Sequence, residues 1–276
     1  MEIIVKVIEI MPKVKVKDIN IYYEVLGRGF PLIMIMGLSA NVDWWNPRMI
    51  HELLKKYQLV IFDNRGAGRT DVSNRGYTIK SFAEDTAGLM GALGISRAHI
   101  LGVSMGGMIA QELALNFPEK VEKLILCSTS CGDRRSVLPS QDVLGTLMAG
   151  GRVLSPEEIA RMTIPLVFTE DFVKKNPDLL EFSIQQILRA PISKEVFMNQ
   201  LNAITQFDTC DRLPQIRAPT LVLHGKRDIL VPPENAAILA EAIPNATLFY
   251  LKNSAHGLVE DMEKAIDVIL NFLTES

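Results

Sequence analysis

The sequence is poor in the residues that build disulfide scaffolds, metal centres and nucleic-acid interfaces. Only three cysteines, Cys127, Cys131 and Cys210, occur in 276 residues. Three is an odd number, and Cys127 and Cys131 have no histidine nearby. Buried or free thiols are therefore expected rather than a cysteine framework or a zinc site. Histidine is equally scarce, with four residues, which shortens any search for a catalytic base. Charge of one sign does not accumulate: 29 Lys and Arg face 32 Asp and Glu, a net charge of −3. With no basic run, nucleic acid is not an expected partner. Long apolar runs are missing too. The stretch Pro31 to Leu38 is far shorter than the ~20 residues a membrane span needs. The first ten residues are apolar and β-branched, but Glu2, Lys6 and Glu9 interrupt them and no small-residue cleavage site follows. A signal peptide is not indicated, and a cytoplasmic location is the expectation.

What is present is a large apolar fraction, 48%, with 22% charged residues, enough to bury a sizeable core. The length suits one large α/β domain or one domain carrying an insertion. Met1 to Ile10 and Val14 to Val25 are rich in Ile, Val and Tyr and read as strands. The first of these is open to three readings: an added edge strand, a contact in a homodimer, or an upstream start, since Met11-Pro12 would make a natural beginning. Pro31 to Met36 is a continuous apolar run, as in a strand buried on both faces of a parallel sheet. Further runs at Gln58 to Phe62, His99 to Val103 and Val121 to Cys127 alternate with helix-like stretches at Pro47 to Lys56, Ile79 to Leu93 and Gly107 to Phe117. Such alternation implies a mostly parallel sheet with helices on both faces. It stops between residues 130 and 212, where helix-like segments such as Ser155 to Thr163, Asp178 to Arg189 and Lys194 to Phe207 occur without a clear buried strand. Strands resume at Thr220 to His224 and Ala246 to Leu251, with helices at Glu234 to Ala242 and Asp261 to Leu273. The expected organisation is an α/β core at 1–129 and 213–276, split by a helical insertion at 130–212. No internal repeat or low-complexity segment is evident.

Five residues carry the chemistry. Gly102-Val103-Ser104-Met105-Gly106 follows an apolar run and opens a helix-like stretch. G-x-S-x-G between a strand and a helix is a nucleophile-elbow pattern, in which a sharp turn lifts the serine out at the carboxyl end of a strand. A serine hydroxyl is a weak nucleophile and needs a base, and the base needs an acid to orient it. His256 lies in the polar loop Asn253 to Gly257 after the last strand, at the end of the sheet where sites form. His51 reads as a surface residue of a helix. His99 starts a strand, at the wrong end, and His224 ends one but is followed at once by Gly225. The acid is expected between Ser104 and His256 in chain order. Asp228, just past Thr220 to His224, fits; Glu122 and Glu260 are the alternatives. Negative charge that develops on a carbonyl oxygen requires backbone N–H donors. The amides of Met105, next to the nucleophile, and Leu38, in the loop after Pro31 to Met36, are the candidates, and Gly37 allows the close approach.

These residues together resemble the α/β-hydrolase superfamily, from about Val14 onward. Asp63-Asn64-Arg65-Gly66-Ala67-Gly68-Arg69-Thr70-Asp71 is similar to that family's D-x-R-G-x-G-x-S-D loop, and Ala218 to Pro233 is similar to its acid-bearing strand. The resemblance implies that the inserted helices form a cap over the site and that Asp63 and Arg65 brace each other structurally. Many members carry His-Gly before the oxyanion residue where this chain has Met36-Gly37. The pattern Met36 to Ala40 with Trp44-Trp45 is closer to the esterases and the enol-lactone hydrolase branch. An aspartate at the elbow would imply dehalogenase or epoxide-hydrolase chemistry, and Ser104 argues against both.

The expectation is a serine hydrolase of carboxylic esters that needs no cofactor and no metal. Met36, Leu38, Trp44, Trp45, Met105 and Met108 fall near the site in sequence, and Trp44 and Met108 are the candidate substrate-pocket residues. Methionines suit a tolerant apolar pocket for a small or medium acyl chain. The same triad serves lactone hydrolysis, of acyl-homoserine lactones or enol-lactones. It also serves perhydrolase or cofactor-free haloperoxidase-like reactions and carbon–carbon bond hydrolysis. A diacid lactone would want a cap arginine, for which Arg134, Arg135, Arg152, Arg161 and Arg189 are available. From another class, a hydrolase-fold ligand receptor would keep the triad and recruit a partner.

Overall fold

A computed structural model describes residues 12–74, 76–132, 135–149 and 155–275. The segment Met1 to Ile10, with its three readings, lies outside the described residues, as do Arg134 and Arg152. Among the described residues, eight strands form one sheet: β1 (Lys13–Val16), β2 (Ile19–Leu26), β3 (Phe30–Ile35), β4 (Tyr57–Phe62), β5 (Ala98–Val103), β6 (Val121–Cys127), β7 (Thr220–Gly225) and β8 (Ala246–Leu251). Their spatial order is β1-β2-β4-β3-β5-β6-β7-β8. The first two pairings are antiparallel and the other five parallel. The run read as one strand from Val14 to Val25 is a hairpin, broken at Lys17, whose φ is 51°.

Leu32, Ile33, Met34 and Ile35 are all completely buried, which explains why β3 shows no polar alternation. One face of the sheet is covered by α2 (Ile79–Ala92), α3 (Met105–Asn116) and α9 (Glu234–Ala242), packing Phe82, Ile109 and Leu239 with Ile33 and Ile35. The other is covered by α1 (Pro47–Leu53) and α10 (Met262–Thr274), packing Leu53, Ile266 and Ile269 with Leu32 and Met34. The chain leaves β3 toward β4 on one side and β5 toward β6 on the other. The carboxyl ends of β3 and β5 therefore flank a switch point, where open α/β sheets form their crevice.

Among the described residues, five α-helices lie between β6 and β7: α4 (Gln141–Ala149), α5 (Pro156–Thr163), α6 (Glu170–Lys175), α7 (Pro177–Arg189) and α8 (Lys194–Thr205). Ala160, Ile164, Phe168 and Ile184 give them a small apolar cluster of their own. The expectation for the cysteines fails at this insertion. Cys131 and Cys210 form a disulfide across 79 residues, with Cα atoms 5.0 Å apart. Where the chain departs from β6 and where it returns toward β7 are adjacent: Thr209 N–H donates to Cys131 O at 2.7 Å and Gly132 pairs with Asp208. That adjacency is tertiary, so local spacing could not reveal it. Cys127 is the free, buried cysteine, and burial pushes its thiol up to about 12, which leaves it inert at neutral pH. No helix among the described residues is long and apolar enough to cross a membrane.

Candidate active site

The elbow forms at the end of β5. Ser104 has φ 57° and ψ −121°, a conformation disfavoured for a residue with a side chain. A Cβ on Gly102 would lie 2.2 Å from Gly106 O, and one on Gly106 2.1 Å from Ile35 O, so neither position admits a side chain. Ser104 N–H donates to Cys127 O at 2.9 Å, and Thr129 Oγ1 donates to Ser104 O at 2.8 Å. The turn is thereby fixed to β6 and its loop, while Ser104 itself stays partly accessible.

The loop after β3 closes over the same point. A Cβ on Gly37 would lie 3.5 Å from Ser104 Oγ. Leu38 follows, and its N–H has no acceptor among the described residues. Met105 is the first residue of α3, where N–H groups lack intrahelical acceptors. The loop is pinned from outside: Asn64 Nδ2 donates to Met36 O at 2.9 Å, and Val42 N–H donates to Asp63 Oδ1 at 2.8 Å. Asp63 Oδ2 accepts from Arg69 N–H at 2.7 Å. Asp63 therefore braces the loop, but not with Arg65 as the family resemblance implied. Arg65 reaches the other way, with Nη2 and Nε each 2.8 Å from an oxygen of buried Asp85 and Nη1 2.9 Å from Asp18. Burial pushes Asp63 above the ordinary carboxylate range, against the N–H donors of Arg69 and Val42.

Asp228 and His256 meet from the loops after β7 and β8, with His256 Nδ1 2.8 Å from Asp228 Oδ2. Asp228 Oδ1 accepts from Leu230 N–H and Val231 N–H, both at 2.9 Å. Burial alone would raise the Asp228 carboxyl. The charge of His256 and hydrogen bonds from His224 and His256 outweigh it and hold Asp228 well below the usual range. With Nδ1 engaged, His256 has Nε2 free for a reacting group. Ser128 Oγ donates to His256 O at 2.9 Å and fixes its backbone. His256 and Ser104 line one cavity without a direct hydrogen bond between them, a contact that commonly tightens only when substrate binds. Three of the rival residues, His51, His99 and Glu122, lie elsewhere. His51 is exposed on α1, and His99 packs against Phe30 and Tyr57 at the start of β5. Glu122 pairs with Arg97, and Glu260 accepts from Thr169 N–H.

A sequence profile for the alpha/beta hydrolase fold matches residues 31–262. The chain belongs to the α/β-hydrolase fold family. A protein of Azorhizobium caulinodans named "Putative carbamate hydrolase RutD" is 30% identical over 252 residues, covering 90% of this α/β hydrolase and 92% of that protein. The crystal structure of the enol-lactonase from Burkholderia xenovorans LB400 superposes with a TM-score of 0.86 at 26% identity, over 96% of this chain and 100% of that one. A thermophilic esterase from Thermogutta terrifontis superposes with a TM-score of 0.80 at 27% identity, over 95% and 98%. Hydrolase is the class these comparisons support.

The cavity of this α/β hydrolase measures about 810 Å³, within the range of small-molecule sites. Ser104 and His256 lie in its wall with Met36, Leu38, Trp44, Trp45, Met105 and Met108. The segment between β6 and β7 contributes Leu147, Ile159, Ile164, Leu179, Phe197 and Leu201. Arg189 also lines it; Arg161 instead pairs with Glu157 and Glu181, and Arg135 with Asp211. One participant was not visible as such in the sequence. His224 is fully buried, its Nε2 2.8 Å from Val231 O and 3.2 Å from Asp228 Oδ2. Its place near a strand end, four residues before Asp228, was the available signal.

Proposed function

We propose that this enzyme cleaves carboxylic esters through an acyl-enzyme on Ser104. His256 Nε2 takes the Ser104 Oγ proton as Oγ attacks the ester carbonyl, then gives it to the departing alcohol. His256 next removes a proton from water, which hydrolyses the acyl-enzyme and restores Ser104. Asp228 holds Nδ1–H and stabilises the imidazolium. Leu38 N–H and Met105 N–H receive the oxyanion. The observation that carries the reading is the 2.8 Å His256–Asp228 contact, set in the same apolar cavity as a serine held at an elbow conformation. The inserted helices serve as the cap that shapes this cavity, and its apolar lining favours small or medium acyl chains. Ser104→Ala is expected to lower turnover of a short p-nitrophenyl ester by more than about 1000-fold with the fold retained. A folded variant keeping a tenth of the activity would refute the assignment.

A lactone or carbamate substrate is the second reading, favoured by the names of the Burkholderia and Azorhizobium relatives. Initial rates across parallel panels of esters, lactones and carbamates rank the three. Fast multiple turnover on any of them eliminates a receptor role.

A further inference from the structure

Gln200 is completely buried, yet it sits on α8, whose Phe197, Leu201 and Ile204 line the cavity. A glutamine amide in that position requires partners at both ends. It finds them on the core, not within the insertion. Its Oε1 accepts from Ser39 N–H at 2.9 Å, and its Nε2 donates to Arg65 O at 3.4 Å. Ser39 directly follows Leu38 and has φ 61°, a left-handed conformation that a serine adopts only when its surroundings hold it there. Leu38 thus lies between Gly37 and a residue whose N–H is held by Gln200. The far anchor is rigid, because the Arg65 guanidinium is locked to Asp85 and Asp18. A second tether runs beside it, Asn41 Nδ2 donating to Ala190 O at 3.2 Å just past α7.

We infer that Gln200 is a positioning residue that sets the direction of the Leu38 N–H by holding the next peptide, so that the inserted helices contribute to oxyanion stabilisation as well as to the shape of the cavity. This rests on the acyl-enzyme reading above. Gln200 touches no reacting atom, so its loss acts through geometry. Misplacement of a catalytic group by about 1 Å can lower a rate about 100-fold.

The test compares wild type, Q200L and Q200E with a p-nitrophenyl ester, and with an arylboronic acid as a mimic of the tetrahedral oxyanion. Q200L fills the volume without an acceptor. Its kcat is expected to fall roughly 10- to 100-fold with KM within about threefold, and its boronate affinity to weaken in parallel. Q200E keeps an oxygen for Ser39 N–H and is expected to hold kcat within about fivefold of wild type. A folded Q200L with kcat within twofold of wild type overturns the inference. So does a raised KM with kcat unchanged, or an equal loss of kcat in Q200E. If Q200L does not fold, Q200M replaces it; failure of both to fold marks Gln200 as merely structural and also overturns it. Fluorophosphonate labelling separates the two levels. A wild type not labelled at Ser104 overturns the serine reading itself, whereas a labelled wild type beside an unaffected Q200L overturns only the role of Gln200.

Discussion

Asp228 presents one carboxylate oxygen to His256 Nδ1 at 2.8 Å, and its other oxygen is occupied by two backbone N–H groups. The carboxylate therefore accepts at both ends and has no rotational freedom to spare. Asp228→Asn would keep the shape but put an amide NH₂ where an acceptor is needed. Either the amide faces His256 and forces the tautomer with its proton on Nε2, or it faces the N–H groups of Leu230 and Val231. A loss of about 1000- to 10,000-fold in kcat is expected, with KM nearly unchanged. Single-turnover acylation kinetics check it. A loss of less than tenfold would mean that His256 is not held by this contact.

His99 makes a pH-dependent contribution remote from the site. Burial, helped by the positive charge of Lys123, pushes its pKa from 6.5 down to about 4. Between these values the unfolded chain binds a proton that the folded chain does not, so stability falls as pH drops from 6.5 toward 4. The loss approaches about 3 kcal/mol, at about 1.4 kcal/mol per pH unit. Urea midpoints measured at pH 7 and pH 4.5 should fall in wild type and fall less in His99→Phe, whose ring can occupy the space beside Phe30 and Tyr57. Equal slopes in both proteins would remove His99 as a source.

The parts of the candidate site that were legible in the sequence are those set by local backbone demands. Gly102 and Gly106 are where any side chain collides with backbone, and the strand–turn–helix around Ser104 shows in the apolar pattern alone. Asp228 and His256 were reachable because each follows a parallel strand at its carboxyl end. The order of strands about β3 and β5 then makes their loops converge. The contacts that stayed hidden link residues far apart in the chain. Cys131 with Cys210, Gln200 with Ser39, and Arg65 with Asp85 rather than Asp63 depend on where the insertion returns and how loops cross the sheet end. Among the inserted helices, α6 spans only six residues and α4 carries Gly145, so neither leaves a long periodic signature.

The disulfide at the neck of the insertion closes a long loop, and its removal frees the unfolded chain more than the folded one. A loss of about 2–5 kcal/mol is expected for the double variant Cys131→Ser with Cys210→Ser. At 25 °C the neck should persist, because Thr209 N–H still donates to Cys131 O and Arg212 still pairs with Glu112. Activity within a few-fold of wild type should therefore accompany the lowered thermal midpoint. Differential scanning calorimetry of wild type with and without reductant, beside the variant, provides the measurement. Unchanged midpoints would show that the cross-link contributes nothing to stability.

Arg65 and Asp85 are both almost fully buried, and the two hydrogen bonds between them are each 2.8 Å. Removing one partner of such a pair leaves an uncompensated charge, which typically costs about 3–5 kcal/mol. Arg65→Met is expected to lose that much at pH 8. The loss should shrink on acidification, and the sign follows from Asp85. Burial already raises its pKa, and Arg65 is the main influence lowering it. Without Arg65 the folded-state pKa rises further above the unfolded value, so the folded variant binds a proton that the unfolded chain releases, and its stability increases as pH falls. Asp85→Asn in the Arg65→Met background should recover part of the loss at pH 8 and abolish the pH dependence of that loss relative to wild type. Chemical denaturation at pH 5.5 and pH 8 distinguishes these outcomes, and a variant equally destabilised at both values would show that lost packing, not the unpaired Asp85 charge, accounts for the effect.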